Sequence, residues 1–224
     1  MDEIEAHLGE IFNSNNSVEL VSCTPDAEMT MSYCARVSNP NNQLNSDSAK
    51  LLAYCIKNKH WSIFETAHLT LQIKTSRAIS AQILRHRSFT FQEFSQRYAA
   101  VDISGLVLYA ARRQDLKNRQ NSIDDVEDAI NSEWIRRQNE NWRDSFAHYT
   151  WALDNGIAKE CARMVLPLGT STTVYMSGSV RSWIHYLELR CAPETQKEHR
   201  DLADQCKLIF VQSLPDVSKA LGWR

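Results

Sequence analysis

The chain has 224 residues, 43% hydrophobic and 23% charged, a balance typical of a globular protein with a sizeable core. Lys plus Arg number 25 against 27 Asp plus Glu, a formal charge of -2, which argues against a dedicated polyanion binder driven by counterion release. The six glycines, at 9, 105, 156, 169, 178 and 222, never come close enough to spell G-x-G-x-x-G or a Walker A loop, so two common nucleotide cradles are excluded.

The N-terminus, MDEIEAHLGE, is acidic and unlike the basic start of a signal peptide, and no apolar run approaches the roughly 20 residues that span a bilayer. A cytoplasmic protein with no membrane contact is expected, with residues 1–17 as a surface extension. From Val18, VELVSCT predicts a strand; Pro25 then opens a helix to about Arg36, before a turn at Asn39-Pro40. NPNNQLNSDS reads as a loop, after which Asp47 or Ser48 can cap a helix bearing Leu51, Leu52, Cys55 and Ile56. Residues 67–75 alternate His68, Thr70, Gln72 and Lys74 with Leu69, Leu71 and Ile73, the period of a strand with one buried face.

A short helix from Ser76 turns Ile79, Ile83 and Leu84 toward a core and sets Gln82 and His86 one turn apart on another face. RSFTFQEFSQRYAAV, rich in aromatic and hydroxyl residues, reads as an ordered loop. Residues 106–111 suit a further strand, and 112–125 a variable charged loop. Val126, Ile130, Trp134, Trp142, Phe146, Tyr149 and Leu153 recur at helical spacing, predicting a long amphipathic helix stopped by Asn155-Gly156. A second helix is expected from about Ile157 to Leu166, closed by Pro167. The remaining third reads as mainly helical, with Val180, Trp183, Ile184 and Leu187 on one stripe and Leu202, Ala203, Cys206, Ile209 and Phe210 on another. The expected fold is α+β: one domain over 1–224 of mixed helices and a small antiparallel sheet, with a helix-rich C-terminal third.

The six cysteines show no C-x-x-C and read as reduced structural thiols, although Cys191, beside Arg190, is a rival nucleophile if the arginine lowers its pKa. His60, His68 and His86 form no H-E-x-x-H, so no metal site is expected. Chemistry concentrates instead between Arg77 and Arg97, where four arginines face one glutamate. Arg85-His86-Arg87, followed by Ser88, Thr90, Gln92, Ser95, Gln96 and Arg97, suits a phosphate, because guanidinium groups bond phosphate oxygens in bidentate, charge-assisted pairs. Phe89, Phe91, Phe94 and Tyr98 can supply apolar walls. Composition alone leaves a solvated basic surface equally open.

The order of these residues decides further. RHRSFTFQEFSQRY, with Gln82 ahead of it, closely resembles the signature of the flavin-dependent thymidylate synthases. CARVSN (34–39), NKHWSIFETAHL (58–69), ARMVLPL (162–168) and VRSWIHYLELRCAPETQKE (180–198) resemble further blocks of that family in the same order, so the resemblance spans about 18–215. It departs at Gln92, Ser179 and His185, where asparagine is more usual.

The resemblance implies reductive methylation of dUMP to dTMP, with methylenetetrahydrofolate supplying the carbon and NADPH reducing FAD. It implies FAD contacts from Ser38, His60, Ser62, Arg85, His86, Arg87, Glu93, Ser179, Arg181 and His185. It places dUMP against Gln82, Arg85, Glu93, Phe94, Ser95, Gln96, Arg97, Arg163 and Arg190, in sites shared within a homotetramer. Arg190 is the expected catalytic residue, a fixed cation at the uracil ring where negative charge develops on N3 and O2; the plain alternative is a helix-surface arginine paired with Glu188 or Glu194. Arg163, on an otherwise apolar segment, is expected to face inward as a phosphate ligand. Ser95 lacks a G-x-S-x-G elbow and is expected to bind phosphate, not to attack. Competing readings are a nucleotide- or RNA-binding module using the Arg77–Arg97 loop, and a structural subunit whose arginines form only ion pairs.

Overall fold

The computed structural model describes residues 16–223. Most of the expected extension, residues 1–15, lies outside the described residues, and Ser17 already belongs to the first strand, β1 (Ser17–Cys23). Next come α1 (Ala27–Ala35), α2 (Ala49–Lys57), β2 (His68–Ser76), α3 (Arg77–Ile83) and β3 (Thr90–Glu93). A two-residue ladder, β4 (Arg113–Gln114) with β5 (Ser122–Ile123), leads into the long α4 (Asp128–Asp154) and the short α5 (Lys159–Ala162). The chain ends in β6 (Ser171–Ser179), α6 (Val180–Arg190), α7 (Lys197–Ser213) and α8 (Pro215–Ala220).

One antiparallel sheet of order β1-β2-β6-β3 organises these elements. Its axis is the β2–β6 ribbon, paired from His68 opposite Ser179 to Ser76 opposite Ser171. On the core face β2 presents Leu69, Leu71 and Ile73, all fully buried, as the alternation predicts. Each ribbon strand ends in a serine that caps the following helix: Ser76 Oγ accepts from the Ile79 N–H at 3.3 Å and Ser179 Oγ from the Ser182 N–H at 3.2 Å. Because the strands are antiparallel, α3 and α6 start from opposite ends of the ribbon. Trp183 of α6, fully buried, donates from its indole Nε1 to the Leu69 carbonyl at 2.9 Å and pins that helix to β2.

Several expectations change. The central strand β6 falls at the start of a third that was expected to be mainly helical, where no strand was expected: its inward residues are Thr172, Val174, Met176 and Gly178, so half of the alternation carries no apolar side chain. Gly178 is required by packing, since a Cβ there would stand 2.5 Å from Phe89 Cδ1. The loop expected at RSFTFQEF contains β3, an edge strand formed by pairing to β6. Residues 106–111 form no strand, only a bridge from Leu106 to Thr170. The helix expected over 157–166 is α5 followed by a 3-10 turn at Arg163–Val165, and α1 begins two residues after Pro25, with Asp26 at φ 47°. Ser48 stands at the start of α2 without capping it; its hydroxyl donates to Asp216 Oδ2 at 2.8 Å. In α4, Trp142 and Tyr149 are buried as expected, whereas Ile130 and Trp134 at its beginning are exposed.

Candidate active site

The sheet positions the arginine-rich loop between α3 and β3. Phe89 anchors it in the core, edge-on to Trp183 with centroids 4.9 Å apart and to Tyr186 at 5.8 Å. The Ser182 hydroxyl donates to the Ser88 carbonyl at 3.2 Å, tying the loop to α6. With the loop held from beneath, Arg85 and Arg87 lie exposed, and neither guanidinium has an ion-pair partner among the described residues. His86 is drawn inward because α3 ends at Ile83, so it does not share a helical face with Gln82 as the spacing predicted.

Arg190, the last residue of α6, donates from Nε to His86 Nε2 at 2.8 Å. Neither Glu188 nor Glu194 pairs with it among the described residues, so the surface ion-pair alternative fails. Burial first, then the charge of Arg190 and the proximity of His185, lower the His86 pKa from 6.5 to about 4. The imidazole is thus neutral near pH 7, the form that accepts from a guanidinium through Nε2. Burial lowers His199, fully buried nearby, from 6.5 to about 3. In the unfolded chain both titrate near 6.5, so the unfolded state binds more protons as pH falls from there to about 4 and about 3. Their contribution to stability is complete above 6.5 and lost through that window. The denaturation midpoint is expected to fall from about pH 7 to about pH 5, with a smaller fall in His86→Gln; equal falls would contradict the assignment of His86.

Glu93 is held at the end of β3 from three sides. Its Oε1 accepts from Ser80 at 2.6 Å and Thr172 at 3.1 Å, while Arg77 Nη1 lies 2.9 Å from Oε2. Arg77 also donates to the Phe94 carbonyl at 3.0 Å, carrying the order into the next turn. Ser95 begins that turn, its carbonyl accepting from the Tyr98 and Ala99 N–H groups, both at 3.1 Å. Its hydroxyl meets no histidine or carboxylate among the described residues, which leaves a nucleophilic role without a base. Gln96 is buried with an unpaired Nε2, whereas Arg97 is exposed and bonds Glu160 at 3.1 Å.

A cleft of about 450 Å³ opens beside the loop, lined by Trp61, Glu65, Ser88, Arg181, Ser182 and His185 among others. Its size falls in the roughly 300–1,000 Å³ range of small-molecule sites. Apolar walls, hydroxyls and the cation of Arg181, which is 3.2 Å from Glu65, suit a flat, phosphate-bearing cofactor. His60 and Ser62 are exposed at the 3-10 turn that contributes Trp61 and Glu65. Three expected residues stand apart. Ser179 is buried and its hydroxyl is committed to capping α6, Ser38 lines a separate cleft with Arg36 and Asn39, and Arg163 is half-buried at the start of a 3-10 turn, between buried Ala162 and exposed Met164, not inward on an apolar helix.

The rival thiol is also decided. Burial first, then a hydrogen bond to Asp204, raise the Cys191 pKa to about 12, the opposite of the lowering by Arg190 on which the rival reading depended. Sequence reasoning missed Arg77, Ser80 and Thr172 as the holders of Glu93, and Tyr186 and His199 beside His86. Only Arg77 carried a signal, as the first arginine of the cluster. Among the described residues no group of three His, Cys, Asp or Glu is placed to hold a metal ion, and no helix is long and apolar enough to cross a membrane.

Residues 19–216 match the family model described as "Thymidylate synthase complementing protein". A protein of Paramecium bursaria Chlorella virus 1 named "Probable flavin-dependent thymidylate synthase" is 57% identical over 198 residues, covering 88% of this chain and 91% of that one. The "Flavin-dependent thymidylate synthase" of Synechocystis sp. is 53% identical over 196 residues, covering 88% and 90%. Among solved structures, the UMP/dUMP methylase PolB from Streptomyces cacaoi, bound with 5-Br dUMP, superposes with a TM-score of 0.79 at 25% identity, covering 93% of this chain and 95% of PolB.

Proposed function

This chain belongs to the flavin-dependent thymidylate synthase family and methylates dUMP, and we propose from that membership how its residues divide the work. The observation that carries the assignment is the Arg190 Nε contact with His86 Nε2 at 2.8 Å, which joins the R-H-R loop to the end of α6. FAD, when bound and reduced by NADPH, would supply the hydride, and methylenetetrahydrofolate would supply the carbon.

The cleft beside Trp61 and Arg181 would hold FAD, with His60, Ser62, Arg85, His86, Arg87, Glu93 and His185 completing the contacts. Ser38 lines a separate cleft and would reach FAD only if a second subunit brought it there, as the proposed homotetramer with shared sites requires. For Ser179 the hydroxyl accepts from the Ser182 N–H at the cap and lies 3.1 Å from Ser182 Oγ, whose own proton goes to the Ser88 carbonyl, so both its functions are taken inside the protein and it acts by starting α6 at the right place. Gln82, Arg85, Glu93, Phe94, Ser95, Gln96, Arg97, Arg163 and Arg190 would bind dUMP, the arginines taking the phosphate and Arg190 the base. With His86 neutral and bonded at Nε, Arg190 keeps both terminal nitrogens for the uracil edge, where a fixed cation stabilises charge developing on N3 and O2. Six unpaired cysteines agree with a reducing, cytoplasmic setting.

The nucleotide- or RNA-binding reading is not favoured, because the relatives and the structural neighbour are named as enzymes. The purified protein is expected to be yellow, absorbing near about 450 nm from bound flavin, and to form dTMP only with FAD present. A colourless protein that takes up no added FAD would refute the assignment. Running dUMP and UMP side by side tests the choice of sugar.

A further inference from the structure

A chain of hydrogen bonds leads away from Gln82 through residues with no role so far. Gln82 Nε2 donates to Gln196 Oε1 at 2.7 Å, and Gln196 Nε2 donates to Glu198 Oε2 at 2.9 Å. Glu198 in turn receives both terminal nitrogens of Arg112, at 2.5 and 2.9 Å. On the other side, Gln82 Oε1 lies 3.3 Å from His199 Nδ1, and His199 Nε2 lies 3.0 Å from the Tyr186 hydroxyl.

The direction of every bond follows from one end. An ionised carboxylate only accepts. Burial alone would raise the Glu198 pKa, but the hydrogen bonds from Arg112 and Gln196 outweigh it and hold the carboxyl below its ordinary value. Gln196 therefore turns its NH2 to Glu198 and its carbonyl to Gln82. Gln82 must then offer its NH2 to Gln196 and its carbonyl to His199. A carbonyl needs a donor, which places the imidazole proton on Nδ1 and leaves Nε2 to accept from Tyr186. Each polar end of Gln82 thus has one partner and capacity left for a ligand. His199 is fully buried, and nothing else bonds its ring among the described residues.

We propose that His199 is a positioning residue: as the Nδ1–H tautomer it fixes the Gln82 amide in one orientation for the nucleotide, along a hydrogen-bond chain whose polarity Glu198 sets. The inference rests on the reading of Gln82 as a dUMP contact. His199 touches neither substrate nor flavin in this scheme and acts through Gln82.

Asparagine places its amide NH2 near the position of Nδ1, so His199→Asn keeps the donor to Gln82, whereas His199→Leu removes it. Both lose the acceptor for Tyr186 and leave a comparable void, so a purely structural role would affect them alike. With the FAD-loaded protein, calorimetric titration with dUMP is expected to give a dissociation constant within about twofold of wild type for His199→Asn and about tenfold higher for His199→Leu. Nitrogen NMR of the wild-type imidazole is expected to show the proton on Nδ1. Equal dUMP affinities for the two variants, or a proton on Nε2, would overturn the inference. Wild-type protein that binds no dUMP would refute the proposed function instead, and the tautomer measurement would still decide the hydrogen-bond chain.

Discussion

Arg190→Ala is expected to lower dTMP formation by about a hundredfold or more while flavin stays bound and NADPH oxidation continues. The substitution removes the guanidinium bonded to His86, with two consequences. The uracil loses the cation that offsets charge developing on N3 and O2, an effect confined to the methylation step. His86 loses a donor, but as a neutral, half-buried imidazole it can bond water, so the loop anchored by Phe89 should persist. The separating measurement is dTMP formation against NADPH consumption in the same sample. Unchanged dTMP synthesis would remove the assigned role, and loss of flavin together with activity would make Arg190 a structural residue of the cofactor cleft.

Glu93→Ala should have the largest effect on folding of any single change at the site. Ser80 and Thr172, both nearly inaccessible, would lose the carboxylate that accepts from them, and Arg77 would lose its ion partner. The Arg77 and Glu93 side chains are 23% and 20% exposed, so solvent screens the pair only in part, and Arg77 Nε has no partner even in the intact protein. Breaking such a cluster from one side costs about 3–5 kcal/mol. Glu93→Gln keeps the size and one acceptor oxygen and should cost about 1–2 kcal/mol. Urea denaturation of both variants, read beside flavin content, checks the ranking. If Glu93→Ala unfolds at the wild-type midpoint, the cluster does not hold β3 in place, and the site would need another source of order.

The two predictions depend on the structure to different degrees. Arg190 stood out in the sequence because VRSWIHYLELRCAPETQKE resembles a block of the family, whereas the grip on Glu93 did not. Ser80 and Thr172 look like ordinary hydroxyl residues of a helix and a strand, and they meet Glu93 only because β3 pairs with β6 while α3 starts beside them. Likewise His199 lies in the charged run KEHRD, where nothing marks it as buried. The scarcity of glycine keeps its meaning: with no glycine turn to cradle phosphate, the proposed function assigns the anion to arginines on separate segments.

What the sequence determined by itself is what local physics can decide. The alternation from His68 to Lys74 forms β2, the spacing of Ile79 and Ile83 after Ser76 forms α3, the apolar spacing through Trp142 and Tyr149 forms α4, and the ordered motif blocks identify the family. The tertiary structure decided the rest. The central strand β6 exists because β2 and β3 flank it, since Thr172 and Gly178 on its inward face give no hydrophobic pattern of their own. The bonds that define the site, Arg190 to His86 and Gln82 to Gln196, join residues 104 and 114 positions apart. Periodicity and capping act over a few residues along the chain, so they fix elements; which distant polar groups satisfy one another is settled only when those elements pack and exclude water.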